Sequence, residues 1–191
     1  MQVLISSILL ITLGHSYAQS IGTCRTVPVT PDFDSSRYLG KWYEIERLPF
    51  IFEKDLQCVT ATYTVLNETA FRVENYGYNT VKQKDSNVIG YAFTPNSAEP
   101  NKLKVVLPVV VGGITIMENT GDYIVVATDY DKYALVYSCS QIIPGLIKFE
   151  ISWILSRTKT LDSQTVQQLK DLGKSLKIDV SKYELIDQSC N

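Results

Sequence analysis

The stretch that decides the fold is GKWYEIERLPF, at residues 40–50. Its first half carries Trp42 and Ile45, and aromatic and β-branched side chains favour a β-strand because they fit a pleated surface. The chain then enters residues 48–52, an apolar segment that contains Pro49. Proline cannot donate a hydrogen bond to a central ladder. The stretch therefore predicts a strand that ends in an apolar connection, where turn residues are usual.

Short strand-like segments rich in Val, Ile, Thr and Tyr follow along the chain, separated by turn residues. We predict eight strands, at residues 41–47, 59–66, 71–78, 87–93, 103–107, 122–128, 133–139 and 149–156. Short polar links join most of them, so consecutive strands are expected to be antiparallel. Such a series closes into a barrel or packs as a sandwich.

A single helix is predicted after the last strand. Either Asp162 or Ser163 can cap its N-terminus. Its apolar residues recur on one face of a 3.6-residue period: Val166, Leu169, Leu172 and Leu176. We expect this face to pack on the outside of the barrel.

The first eighteen residues have the pattern of a secretory signal. An apolar run at residues 3–13 precedes a small-x-small cleavage site at residues 16–18. The run is too short to span a bilayer as a helix. We therefore predict that residues 1–18 are a signal peptide, and that residues 19–191 form one secreted, extracellular domain.

Several classes of function are disfavoured by composition. The one histidine of the sequence, His15, falls within the predicted signal, so the mature chain would lack imidazole for nucleophilic triads and for histidine metal sites. The net charge is −2 without a basic stripe, which argues against nucleic acid as a partner. We expect neither a metal nor a cofactor.

Two further features are typical of secreted chains. The four cysteines, Cys24, Cys58, Cys139 and Cys190, are even in number and widely spaced, which predicts two disulfides. Spacing alone leaves three pairings open. The triplet at residues 67–69, Asn-Glu-Thr, is a sequon that predicts N-glycosylation of Asn67.

Three connections break the rule of polar loops. They are residues 48–52, residues 108–116 (PVVVGGITI) and residues 142–147 (IIPGLI), which follow the first, fifth and seventh predicted strands. In an up-and-down barrel these connections emerge at one end. This predicts an apolar rim at one mouth, made of Phe50, Ile51, Phe52, Val110, Ile143 and Leu146. Such a rim suits an apolar guest, a lipid surface or both, whereas loops that fold inward would merely cap the core.

Three short motifs in this order resemble those of the lipocalin family, and most closely its apolipoprotein D-like branch with insect relatives. Gly40 and Trp42 are similar to the family's Gly-x-Trp motif, and Thr128, Asp129 and Tyr130 to its Thr-Asp-Tyr motif. Arg157 is similar to the arginine that packs across that tryptophan at the closed end. The resemblance implies an all-β fold, an eight-stranded antiparallel up-and-down β-barrel with one C-terminal α-helix on its outside.

The resemblance also implies disulfide pairing and a set of cavity residues. Cys24 would pair with Cys139, and Cys58 with Cys190. Position by position, four residues match lipocalin pocket residues: Tyr63, Asn75, Tyr123 and Trp153. Strand parity from these positions adds five more to the expected ligand-binding set: Tyr91, Leu107, Phe149, Ile151 and Leu155.

The function implied by the resemblance is secreted transport of a small hydrophobic ligand such as a fatty acid, sterol or steroid, retinoid or bilin. A bilin or retinoid would be a ligand and not a cofactor. One alternative is a lipid-protective protein that docks on a lipoprotein particle or a membrane through its rim. Another is an isomerase, which the expected pairing of all four cysteines disfavours. Glu44 and Glu46, expected on one face of the first strand, are interpreted as partners of Arg47 and nearby lysines. The natural ligand and the oligomeric state stay open.

Overall fold

Ten strands and two α-helices lie in the part of the chain that the structure, a computed structural model, describes: residues 19–67, 69–111 and 114–190. The strands are β1 (Gln19–Ile21), β2 (Gly40–Arg47), β3 (Leu56–Val65), β4 (Ala70–Asn79), β5 (Lys84–Phe93), β6 (Lys102–Val111), β7 (Ile114–Thr128), β8 (Tyr133–Ile143), β9 (Ile147–Ser156) and β10 (Glu184–Leu185). The helices are α1 (Ser35–Tyr38) and α2 (Ser163–Ser175).

Strands β2 to β9 pair with their neighbours in chain order, and β9 also pairs with β2. All these pairings are antiparallel, so the eight strands close into a barrel. The predicted barrel with one C-terminal helix is confirmed, and the sandwich is excluded. The short strands β1 and β10, which were not predicted, extend the sheet by pairing with β9 and β2.

Trp42 seals one end of the barrel. Its ring is fully buried, and its Nε1 donates to the carbonyl oxygen of Tyr38 at 2.9 Å. The guanidinium of Arg157 lies 3.7 Å from the centroid of the Trp42 ring, close enough for a cation–π interaction. Gly40 has a φ of 95°, and a Cβ there would approach Arg157 Nη1 to 3.2 Å. Arg157 also donates to four backbone carbonyls, those of Arg37, Tyr38, Lys41 and Tyr130.

The turn between β7 and β8 is fixed by the Thr-Asp-Tyr motif. Thr128 Oγ1 accepts from the backbone N–H of Tyr130 and donates to the carbonyl oxygen of Tyr133. Asp129 Oδ1 accepts from the backbone N–H groups of residues 131–133. These bonds hold Tyr130 at a φ of 69° and aim its carbonyl oxygen at Arg157 Nε, 2.8 Å away. The motif therefore locks the closed end together.

Helix α2 packs on the outer face of the barrel. Asp162 caps it by accepting from the backbone N–H of Thr165 at 2.8 Å. Leu169 is buried, in the cluster with Ile45, Leu135 and Ile154. The predicted face is displaced at one position: Leu172 is 36% exposed, and Gly173 faces the protein instead. A Cβ on Gly173 would come within 2.9 Å of Val180, so the close approach of the next segment requires glycine.

Both disulfides implied by the resemblance are present. Cys24 pairs with Cys139 and ties the N-terminal segment to β8. Cys58 pairs with Cys190 and ties the C-terminal tail to β3. The predicted signal, residues 1–18, lies outside the described residues. Within the described ranges, no helix has the length and apolar character needed to cross a membrane.

Two of the three predicted apolar connections are not loops. Strand β6 continues to Val111 and β7 begins at Ile114. Likewise, β8 continues to Ile143 and β9 begins at Ile147. Beyond the pairing of Val106 with Tyr91, β6 no longer pairs with β5, so the β6–β7 hairpin continues as a two-stranded ribbon. Valine and isoleucine favour this extended pairing. Pro108 is tolerated because one side of the ribbon is an open edge.

Candidate functional site

A cavity of about 380 Å³ lies inside the barrel, which is enough space for one small ligand. Eight of the nine residues expected to bind ligand lie on its wall: Tyr63, Asn75, Leu107, Tyr123, Phe149, Ile151, Trp153 and Leu155. Four of these come from β9, where alternate side chains point to the same face. The structure therefore brings together nearly the whole expected set in one cavity.

Tyr91 is the exception, and its expected place on the wall is wrong. Its neighbour Ala92 is fully buried and pairs with Phe71 and Val105, which belong to the interior. Since adjacent strand residues face opposite sides, Tyr91 points outward. There its ring stacks beside that of Phe93, with centroids 6.3 Å apart.

A chain of three tyrosines forms the deep end of the cavity. The hydroxyl of Tyr123 lies 2.9 Å from that of Tyr38 and 2.8 Å from that of Tyr63. Burial raises the pKa of all three hydroxyls, so they remain protonated and act as neutral donors and acceptors. Trp153 stacks on Tyr123, with centroids 6.4 Å apart. Tyr38 belongs to this group through helix α1, which sequence reasoning did not connect to the site.

Glu44 also lines the cavity, contrary to its expected role on a shared face with Glu46. The pairing of β2 with β9 shifts register between these two residues, which marks a bulge. Glu44 therefore points inward and is 4% exposed, whereas Glu46 points outward to an ion pair with Lys170 of α2. The expected pairing of Glu44 with Arg47 is present, at 3.0 Å.

Arg47 is the centre of a buried ionic cluster beside the cavity. Besides Glu44, its guanidinium lies 3.6 Å from Glu53 Oε2 and 3.0 Å from Glu184 Oε1. Glu53 lines the cavity from the short 3₁₀ turn after β2, and Trp153 Nε1 donates to its Oε2 at 3.1 Å. One signal for this cluster was available in the sequence. Glu44 lies two residues after Trp42, whose side chain points inward, so strand parity places Glu44 inside as well.

The environment of the two wall carboxylates disfavours their charged forms. Burial raises the pKa of Glu44 well above its ordinary value, and the neighbouring charge of Glu53 raises it further, while Arg47 opposes both effects. Burial also raises the pKa of Glu53. Thus two carboxyl groups lie on the polar side of the cavity, and the single guanidinium of Arg47 does not fully offset the cost of burying both.

The apolar rim surrounds the open mouth. Five of its members, Ile51, Phe52, Val110, Ile143 and Leu146, are exposed, with Phe52 at 80%. Phe50 is half-buried instead: it lines the cavity, and its ring centroid lies 5.4 Å from that of Phe149. Four more exposed apolar residues belong to the same strand ends: Ile114, Ile116, Met117 and Ile142. The mouth is thus apolar both toward the cavity and toward solvent.

Comparison with known proteins agrees with this architecture. The family described as Lipocalin-like domain matches residues 33–188. The chain belongs to the lipocalin family. Apolipoprotein D of Oryctolagus cuniculus is 39% identical to this lipocalin over 182 residues, which cover 94% of this chain and 89% of that protein.

Two other lipocalins show how widely the fold extends. The Lazarillo protein of Schistocerca americana is 28% identical over 185 residues, which cover 96% of this chain and 83% of that protein. The crystal structure of insecticyanin from the tobacco hornworm Manduca sexta superposes with a TM-score of 0.76 at 25% identity, covering 90% of this chain and 89% of that one.

The predicted glycosylation position lies far from the mouth of this lipocalin. Asn67 follows β3 at the closed end and is exposed. Its Oδ1 accepts from the backbone N–H and the hydroxyl of Thr69, at 2.9 and 3.2 Å. A glycan attached there would project away from the cavity and leave its mouth open.

Proposed function

We propose that the protein is a secreted carrier that holds one small hydrophobic molecule in the barrel cavity. The observation that carries this proposal is a cavity of about 380 Å³ with an aromatic and aliphatic wall and an apolar mouth. A fatty acid, sterol or steroid, retinoid or bilin has an apolar surface to match. Its burial would stabilise the complex by roughly 25 cal/mol per Å² removed from water.

Membership of the lipocalin family and the similarity to apolipoprotein D support a role in binding and transport. Export from the cell is supported by the two disulfides, which are typical of extracellular proteins. We include in the proposal cleavage of the signal after residue 18 and glycosylation of Asn67. An isomerase that uses a cavity thiol is disfavoured, because all four cysteines are paired.

A brominated ligand tests binding in the cavity. Bromine quenches tryptophan emission on near contact, and Trp153 is the tryptophan on the wall. We expect decanol brominated at mid-chain to quench the emission saturably. Replacement of Trp153 by phenylalanine should remove most of this quenching, as measured by fluorescence titration.

The matched control for this titration is Trp42→Phe, because Trp42 is buried under Arg157 at the closed end. This variant should keep the quenching of the wild type. Saturable quenching that persists in Trp153→Phe and disappears in Trp42→Phe would contradict the cavity as the binding site.

The exposed rim favours a second function, docking on a lipid surface. Apolar side chains from three separate strand connections project at one end, among them Phe52, Ile114 and Ile143. Exposed apolar side chains that are grouped at one place mark an interaction site more often than scattered ones do. A docked rim would also place the mouth of the cavity against the lipid from which a ligand could be taken.

Vesicle flotation tests the docking function. The double substitution of Phe52 and Ile143 by serine should reduce partitioning onto phosphatidylcholine vesicles by about tenfold or more, since each apolar side chain contributes roughly 1.5–3 kcal/mol when buried. The control replaces Val65 and Leu66 by serine. Val65 is the last residue of β3 and Leu66 follows it, and these comparably exposed apolar residues lie at the closed end. Equal flotation of the rim variant and the wild type would refute docking through the rim.

A further inference from the structure

We infer that the cavity selects apolar ligands whose polar head donates hydrogen bonds, a protonated amine above all, over ligands that carry a carboxylate. The geometry points to Glu44 as the residue that receives this head, with Glu53 beside it. The inference rests on the proposed function, because it concerns the head group of the ligand held in the same cavity.

The first support is the sign of the charges on the wall. Three carboxyl side chains line the cavity: Glu44, Glu53 and Asp122. Among the described residues, no lysine, arginine or histidine lines it. Asp122 is balanced by Lys104, whose Nζ lies 2.6 Å from Asp122 Oδ1. A carboxylate ligand would therefore find no cation on the wall to pair with.

The second support is that the positive charge of Arg47 is already shared. Its guanidinium lies against Glu44, Glu53 and Glu184, so three carboxyl groups face one cation. Its remaining polar contact is donation to the backbone carbonyl of Glu53 at 2.7 Å. Arg47 is 2% exposed, and these partners separate it from a ligand head. The cluster therefore leaves no free positive charge for an anionic head in the cavity.

The third support is the unused hydrogen-bonding capacity of Glu44. Its Oε1 accepts from Arg47 Nη1, while its Oε2 accepts from none of the side chains or backbone groups that the structure describes. Since Glu44 is 4% exposed and lines the cavity, a ligand donor is the natural partner for this oxygen. A donor head can bond to this oxygen from the cavity, whereas a carboxylate head has no hydrogen to donate.

The aromatic wall favours the same head group independently. Trp153, Tyr123 and Phe149 surround the cavity beside the carboxyl cluster. A cation that lies over such rings is attracted by their electron-rich faces. An ammonium would also favour the ionised form of Glu44, whose pKa burial raises, whereas a second carboxylate would disfavour it.

Three ligands with the same apolar chain separate the head groups: decylamine, decanol and decanoate. At about pH 7 they are a cation, a neutral donor and an anion. Isothermal titration of the wild-type protein should give an affinity for decylamine at least about tenfold above that for decanoate, with decanol between them. Glu44→Gln keeps the size of the side chain but removes the charge, and should reduce this ratio to about threefold or less.

Glu46→Gln is the matched control, because Glu46 lies on the same strand but faces α2 outside the barrel. It should keep the wild-type ratio. Should Glu44→Gln not fold, as judged by circular dichroism, Glu53→Gln tests the same cluster from the 3₁₀ turn and should also lower the ratio.

Two results separate this inference from the proposed function. Equal affinities, a preference for decanoate, or an amine preference that survives both cavity substitutions would overturn the inference and leave the carrier function standing. Absence of saturable binding by all three ligands to the wild type would overturn both.

Discussion

Replacement of Trp42 by alanine is expected to lower the free energy of unfolding by about 3–5 kcal/mol. The ring is fully buried, its Nε1 bonds to the carbonyl oxygen of Tyr38, and its face carries the guanidinium of Arg157. Alanine would leave a cavity at the closed end and remove both contacts. Urea denaturation followed by circular dichroism measures the loss.

Trp42→Phe is the matched control, because it keeps an aromatic face for Arg157 and removes mainly the indole hydrogen bond and part of the volume. It should cost less than half as much as alanine. In a double-mutant cycle with Arg157→Ala, the coupling energy should reach about 0.5–2 kcal/mol. A loss below about 1 kcal/mol for Trp42→Ala would show that the closed end does not depend on this plug.

Replacement of Gly121 by tryptophan is expected to weaken ligand binding by at least about 100-fold, or roughly 2.7 kcal/mol. Gly121 lies on the cavity wall, and a Cβ built there meets no atom within 4 Å. An indole at this position has space to enter and would occupy much of the 380 Å³. Isothermal titration with decanol measures the affinity.

Gly121→Ala is the control for the plugged variant, since it makes the same backbone change without filling the cavity. It should bind decanol within about threefold of the wild type. The urea midpoint of the tryptophan variant should stay close to that of the wild type, because the new ring replaces open space. Undiminished binding by a folded Gly121→Trp variant would contradict the cavity as the ligand site.

The barrel itself was predictable because two independent signals agree. The strand segments with turns between them predict an antiparallel meander, and the motifs at Trp42, Asp129 and Arg157 predict how its closed end is locked. These residues do meet, through the 3.7 Å approach of Arg157 to Trp42 and the Asp129 turn. Most of the cavity wall could be predicted as well, because the alternation of side chains along β9 places every second residue inside the barrel.

Errors arose where a residue's face depends on register between strands. The outward position of Tyr91 follows from the pairing of Ala92 with Phe71 and Val105, which the sequence of one strand does not contain. The separation of Glu44 from Glu46 follows from a bulge in β2 against β9. A single inserted residue reverses the parity of everything beyond it.

The connections at the mouth were misinterpreted for a different reason. Proline and glycine in residues 108–116 indicate a loop by local rules, yet Val109 pairs with Met117 and Pro108 with Glu118 in a continuing hairpin. The ribbon tolerates proline because β5 has already ended its pairing with β6. Local composition does not reveal that β6 lacks a paired strand on one side at this point. The strands were therefore predicted too short, although the apolar character of their ends was recognised.

The most direct test of the account is the position of bromine in crystals grown with the mid-chain brominated decanol. Its anomalous scattering locates the ligand without reference to any assumed site. The account predicts one bromine peak per chain inside the barrel, between Trp153, Tyr123 and Leu155. A peak confined to the outer surface or to the rim, with the interior of the barrel free of ligand density, would contradict the account.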